Sequence, residues 1–354
     1  MNTTFLLIGT KKGLFLLAGR DRARWELRGP FLSGKEINHA TYDQKSGGIY
    51  AAANDAWFGS ELTWSVDFGK TWQTPKQAPA FAAGSEQKIE RLWHIAPGPD
   101  AFYLGVAPAA LFRSHDSGQT WTEVTSVSGH PTRSRWFPGA GGLCLHSILL
   151  DPTNPQRLFI GISAAGVFRS DDGGDTWQPA NRGTRAEFLP DKLPEVGQCV
   201  HKLKVSADRK LLFQQNHCGV YRSADGGENW DEITQGLPSD FGFPMAVHPR
   251  EPETIYVIPL KGAEFRCPPE NKLRVFRSRN GGRSWDPCAK GLPQDHAFSG
   301  VYREAMTTDD LNPAGIYFGT NTGKIFGSFD EGDNWSELAD NLPPVFSVHA
   351  FKKE

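Results

Sequence analysis

No apolar run in this 354-residue sequence approaches the roughly 20 residues that a membrane-crossing helix requires. The first apolar stretch is only Phe5 to Ile8, with no basic segment before it, where a secretory leader needs about 7–15 apolar residues. Cysteine is scarce as well: Cys144, Cys199, Cys218, Cys267 and Cys288 are odd in number and cannot all pair within the chain. Together these absences predict reduced thiols and a cytoplasmic location. A charge excess is also missing. The 38 basic and 40 acidic residues leave a net charge of −2, which excludes the basic surplus expected of nucleic-acid or membrane-surface binding. No composition shift marks a linker, so residues 1–354 read as one domain.

What the sequence has in quantity is a repeat. Six octapeptides follow Ser-x-Asp-x-Gly-x-Thr-Trp or a near variant, ending at Trp72, Trp121, Trp177, Trp230, Trp285 and Trp335. Physically this is a hairpin corner. The Asp or Asn side chain accepts hydrogen bonds from the backbone of its own turn, and Gly supplies a positive φ. The Trp ring packs under a neighbouring unit, worth roughly 2–3 kcal/mol each. The repeated aspartates are therefore expected to lock turns, not to catalyse. A degenerate seventh copy runs from Gly19 to Trp25 and keeps only the tryptophan. The seven tryptophans then lie 47, 49, 56, 53, 55 and 50 residues apart, each interval fitting one blade of four short strands.

The octapeptide is that of the BNR/Asp-box repeat, and the chain resembles the superfamily of sialidase-like and sortilin-like propellers that carries it. The resemblance implies an all-β fold, a single seven-bladed propeller of four-stranded blades. The N-terminus begins at a second-strand position (Phe5 to Gly9), and an unpaired first-strand segment, Val345 to Phe351, ends the chain. The C-terminal strand is thus predicted to pair in the N-terminal blade and remove the open sheet edges. The superfamily spans sialidases, xyloglucanases, receptors and photosystem assembly factors, so fold alone does not select an activity. The sialidase Arg-Ile-Pro motif does not occur here. Only Tyr302, Arg303 and Glu304 resemble the rest of the sialidase site.

Insertions place the function. Ser126 to Gly142 and Asn181 to Gly197 lengthen connections between blades, while Lys261 to Lys272 and the shorter Asn54–Ser60 segment lengthen hairpins within blades. All are expected on one face, opposite the Asp boxes, and long loops on a rigid scaffold commonly carry function. Aligning the innermost strands puts His146, His201 and Glu304 at equivalent positions in blades four, five and seven. Gly-x-Cys-x-His recurs one blade apart, as Cys144 with His146 and Cys199 with His201, and Asn216-His217-Cys218 lies close by.

Three readings of this cluster stay open. Zinc or another transition metal could be held by His146, His201 and His217, with a cysteine or Glu304, at about 2.0–2.3 Å. Alternatively Glu304, Arg303, His146 and His201 form a catalytic pocket, His and Glu304 acting as acid or base and arginine gripping an anion. Lys11, Asn54, Asp55, Arg133, Arg135, Trp136, Arg182, Arg185, Asn216 and Asn321 would then contact substrate. In the third reading these side chains only pack. The corresponding function is a hydrolase-like, glycosidase-related enzyme acting on a polar or anionic small molecule or glycan. The alternative is a non-enzymatic scaffold that binds a protein partner through the same face.

Overall fold

The computed structural model describes residues 3–151 and 153–353. Seven antiparallel sheets form the blades of a β-propeller, which confirms the predicted architecture. Six have four strands, in five of them in sequence order from the axis outward and in blade one with the C-terminal strand innermost. In blade two the outermost strand contracts to one bridge, Trp64 and Gln73 exchanging both backbone hydrogen bonds at 3.0 and 2.8 Å. Among the described residues no helix is long and apolar enough to cross a membrane.

Ring closure follows the predicted pairing. Val345–Lys352 lies antiparallel to Thr3–Thr10, with Phe5 opposite Phe351 and Gly9 opposite Ser347, and forms the innermost strand of blade one. Phe351 stacks on Phe5 and Tyr42 across this seam, and Phe68 packs against Phe5 at a tilt.

The Asp boxes close by one hydrogen-bond scheme. In blade four Asp172 Oδ1 accepts from Thr176 N at 2.9 Å and from Ser170 Oγ at 2.7 Å, and Ser170 Oγ accepts from Gly174 N at 2.8 Å. Gly174, at φ +97°, occupies the left-handed region that other residues resist. Trp177, Trp230 and Trp285 donate their indole N–H groups to Ser126 Oγ, Ala180 O and Ile233 O of the preceding blade. Just before the boxes, arginines reach forward instead: Arg113, Arg169 and Arg277 donate to Gly173 O, Gly226 O and Glu331 O in the next blade. Blade one lacks a box, and there Arg22 makes a buried ion pair with Asp309 of blade seven at 2.5 Å.

One backbone feature positions the site. In six blades the pairing of first and second strands slips by one residue near the mouth of the central channel, in a β-bulge. The extra residues are Phe346, Asn38, Trp93, His146, His201 and, with Pro244, Phe243. A bulge re-aims side chains. Here it lets both the bulged residue and its successor approach the mouth, where regular alternation would turn one of them away.

Candidate functional site

The channel mouth on the insertion face opens into two adjoining cavities. The larger, of about 480 Å³, is lined by Asn38, Trp93, Phe243, Tyr302, Arg303, Glu304 and Phe346, with Glu90, Arg91 and Arg266 towards the rim. The smaller, of about 200 Å³, is lined by Cys199, His201, His217, Phe188, Phe241 and Phe243. Arg303, Arg266 and the Ala140–Gly141 segment belong to both. That segment ends the insertion between blades three and four, so the insertion borders the mouth as predicted.

Glu304 forms the floor. It is 6% exposed, and Lys202 Nζ reaches both its oxygens, at 2.6 and 2.5 Å. His94 Nδ1 and His39 Nε2 face the same carboxylate at 3.5 and 3.8 Å, and the two rings are 4.2 Å apart. These four side chains come from blades seven, five, three and two, so they meet at the axis. Burial alone would raise the Glu304 pKa, but the Lys202 ammonium and then His94 outweigh it and hold the carboxyl well below its usual range. Burial pushes His94 down, and pushes His39 well below its ordinary value. Ile95 N donates to His39 Nδ1 at 3.2 Å, which puts the ring proton of neutral His39 on Nε2, towards Glu304. Deeper in the channel, burial lowers Lys204 to about 8 and His349 to about 4.

Arg303 is the cation of the mouth. Its guanidinium lies over Trp93 and Phe243, 5.3 and 5.8 Å from the ring centroids, and touches Cys144 Sγ at 3.6 Å. Arg266 lies over Phe243 as well, at 5.5 Å. Among the described residues neither arginine makes an ion pair with a carboxylate.

The structure separates the other expected site residues. His201 lines the smaller cavity and donates from Nδ1 to Gly242 O at 2.6 Å. His146 is fully buried, with Nε2 on Val200 O at 2.9 Å and Nδ1 on Ser147 Oγ at 3.1 Å. Both its nitrogens are engaged, so it drops out of the expected metal set with His201 and His217. Cys199, His201 and His217 instead bring potential ligand atoms within 4.8 Å of one another.

Most of the expected substrate contacts are occupied elsewhere. Asn54 bonds the backbone of Leu92, Asp55 caps Trp57 N and Phe58 N, Asn216 accepts from Cys218 N, and Asn321 accepts from Gly300 N. Arg133 donates to Ala109 O, Arg135 pairs with Glu195, and Arg185 pairs with Glu232 and Glu187. Trp136 is buried and donates to Thr132 Oγ1 at 2.9 Å. Lys11 and Arg182 are exposed and line neither cavity. Lys202 was not anticipated, because strict alternation after His201 turns it away from the mouth.

Comparison with known proteins agrees with the repeat and the architecture. The BNR/Asp-box repeat family matches residues 168–179, and the chain is an Asp-box propeller. Its curated relatives include a probable oligoxyloglucan-reducing end-specific xyloglucanase of Neosartorya fischeri, 24% identical over 274 residues, covering 67% of this chain and 31% of that protein. Another is a xyloglucanase of a Paenibacillus species, 29% identical over 251 residues, covering 62% and 23%. The chain thus spans about a third or less of the length of these relatives. Among solved structures, the GH74 enzyme of Niastella koreensis superposes with a TM-score of 0.66 at 19% identity, covering 95% of this chain and 52% of the other. YCF48 from Cyanidioschyzon merolae superposes at 0.58 with 12% identity, covering 92% and 97%. These two likenesses concern the fold.

Proposed function

We propose that this propeller is a hydrolase-like, glycosidase-related enzyme that acts on an anionic sugar or glycan at the channel mouth. The observation that carries the reading is Arg303, with no carboxylate partner among the described residues and held against two aromatic faces, beside a buried Glu304. A guanidinium in that setting grips a carboxylate, sulfate or phosphate by charge-assisted hydrogen bonds, and Arg266 adds a second cation at the same cavity. Trp93 and Phe243 offer apolar faces to a sugar ring. The relatives named as xyloglucanases support a glycan as the substrate class.

The acid–base chemistry follows from the charges. Glu304 is ionised and cannot donate a proton near neutrality. His94 is neutral, and its Nδ1 faces Glu304, which orients the ring and stabilises its protonated form. Nε2 is then the unprotonated ring atom and the one chemically able to accept a proton. This differs from hydrolysis by two carboxylates, in which one must stay protonated. We also propose a cytoplasmic location, with which the five free cysteines are consistent.

The test is turnover and binding across matched neutral and uronate- or sulfate-bearing oligosaccharides. Anionic members should be preferred, Arg303→Gln should raise KM at least tenfold, and Glu304→Gln should abolish turnover. Equal handling of neutral members, or indifference to Arg303→Gln, would refute it. A scaffold reading has one observation in its favour. Trp57, Phe58, Phe137, Phe188, Phe265 and Phe298 are between 48% and 93% exposed on loops of the insertion face, and such rims mark contact surfaces. Peptide capture without any turnover would favour it.

A further inference from the structure

We propose that Cys199, His201 and His217 bind a zinc-type divalent metal ion in the smaller cavity, with one coordination position left open. A thiolate sulfur and two imidazole nitrogens are the ligand types zinc selects, and three protein ligands with a free position are the pattern of its reactive sites. Their potential ligand atoms all lie within 4.8 Å of one another. Bond lengths of about 2.0–2.1 Å to nitrogen and 2.3 Å to sulfur set ligand atoms roughly 3.3–3.7 Å apart in a tetrahedron. Small side-chain rotations therefore close the set.

The surroundings favour these residues as ligands. His201 commits Nδ1–H to Gly242 O at 2.6 Å, which fixes the ring and leaves Nε2 for the metal, the usual arrangement of a metal-bound imidazole. Ser163 Oγ lies 3.5 Å from Cys199 Sγ and can donate to it. Phe241 packs edge-on against both imidazoles, at 5.3 and 5.0 Å, Phe243 lies 4.6 Å from His201, and Phe188 covers His217 at 5.2 Å. This apolar shell strengthens metal–ligand electrostatics.

The second cluster of suitable types, His39, His94 and Glu304, is a poorer candidate. Lys202 already occupies both carboxylate oxygens, and a divalent ion would have to displace that ammonium. Among the described residues the hydrogen-bond partner of the Cys199 sulfur is the Ser163 hydroxyl, not a cation. The open position would face the cavity that Arg266 and Arg303 line, so it suits water or an anionic oxygen. The metal site does not depend on the glycan reading and would stand if no sugar were turned over.

Cobalt(II) titration of chelator-treated, untagged full-length protein tests it. One equivalent should bind, with visible bands of four-coordinate cobalt and a near-ultraviolet band from thiolate-to-cobalt charge transfer. Cys199→Ser should lose the charge-transfer band, and His217→Gln, at a half-buried position, should weaken binding at least tenfold at an unchanged melting temperature. Failure to bind cobalt, or a charge-transfer band that survives Cys199→Ser, would overturn the assignment. If Cys199→Ser does not fold, an unaltered affinity in His217→Gln would overturn it alone.

Discussion

Lys202 and Glu304 show how much of the site depends on single contacts. The two charges are 4% and 6% exposed, and a buried pair contributes little net stability, while removing one partner strands the other. Lys202→Met should therefore cost about 3–5 kcal/mol and raise the Glu304 pKa, since the ammonium that outweighs burial is gone. Adding Glu304→Gln to Lys202→Met should recover part of that loss, because no charge is then stranded. Denaturant unfolding of the two single variants and the double variant checks this, and simple additivity would mean that the residues are not coupled. His146, His201 and Glu304 could be read from aligned positions of the innermost strands, and Arg303 from its place beside Glu304. Lys202 was hidden because the bulge at His201 breaks the two-residue period on which such a reading rests. Most of the expected asparagine and arginine contacts are already engaged within the protein, and sequence shows a polar group on a loop but not the backbone group or carboxylate that holds it.

At the scale of the element, the Asp box and the arginine before it do different work. The box closes its own hairpin corner, and Arg113, Arg169 and Arg277 tie that blade to the next. Asp172→Ala should lower the melting temperature and leave ligand affinity in the folded protein unchanged. A selective loss of activity at full stability would give the aspartate a chemical role. In blade one the Arg22–Asp309 pair stands in for the missing box, and Asp309 also accepts from Tyr317 Oη at 2.7 Å and from Gly315 N at 2.8 Å. Asp309→Ala should therefore be among the most costly substitutions away from the channel, about 3–5 kcal/mol, measured by chemical denaturation. The boxes were plain in the sequence because their chemistry is local. The Arg22–Asp309 staple was not, because its partners are 287 residues apart.

For the whole molecule, the channel makes the ring sensitive to acid. Burial lowers the pKa of His39, His94, His146 and His201, and that of His349 to about 4. Between about 6.5 and these depressed values the unfolded chain binds protons that the folded one refuses. Stability should thus be full above pH 6.5 and fall below it, each group contributing up to about 1.4 kcal/mol per pH unit. Glu304 adds a further loss at lower pH, as protonation passes through its depressed pKa. Melting temperatures across pH 4–8 should show this decline, with a shallower slope in His146→Gln; a flat profile would contradict the burial of these rings. Ring closure is equally global, and removing the strand Val345–Lys352 should abolish cooperative unfolding by reopening the sheet edge. The measurement closest to the central claim is calorimetric binding of anionic oligosaccharides to the unaltered protein, Arg303→Gln and Asp172→Ala, each with its melting temperature. The account predicts binding that Arg303→Gln weakens at least tenfold without lowering the melting temperature, and that Asp172→Ala leaves intact. Binding that is lost in Asp172→Ala yet indifferent to Arg303→Gln would move the functional site to the opposite face of the propeller.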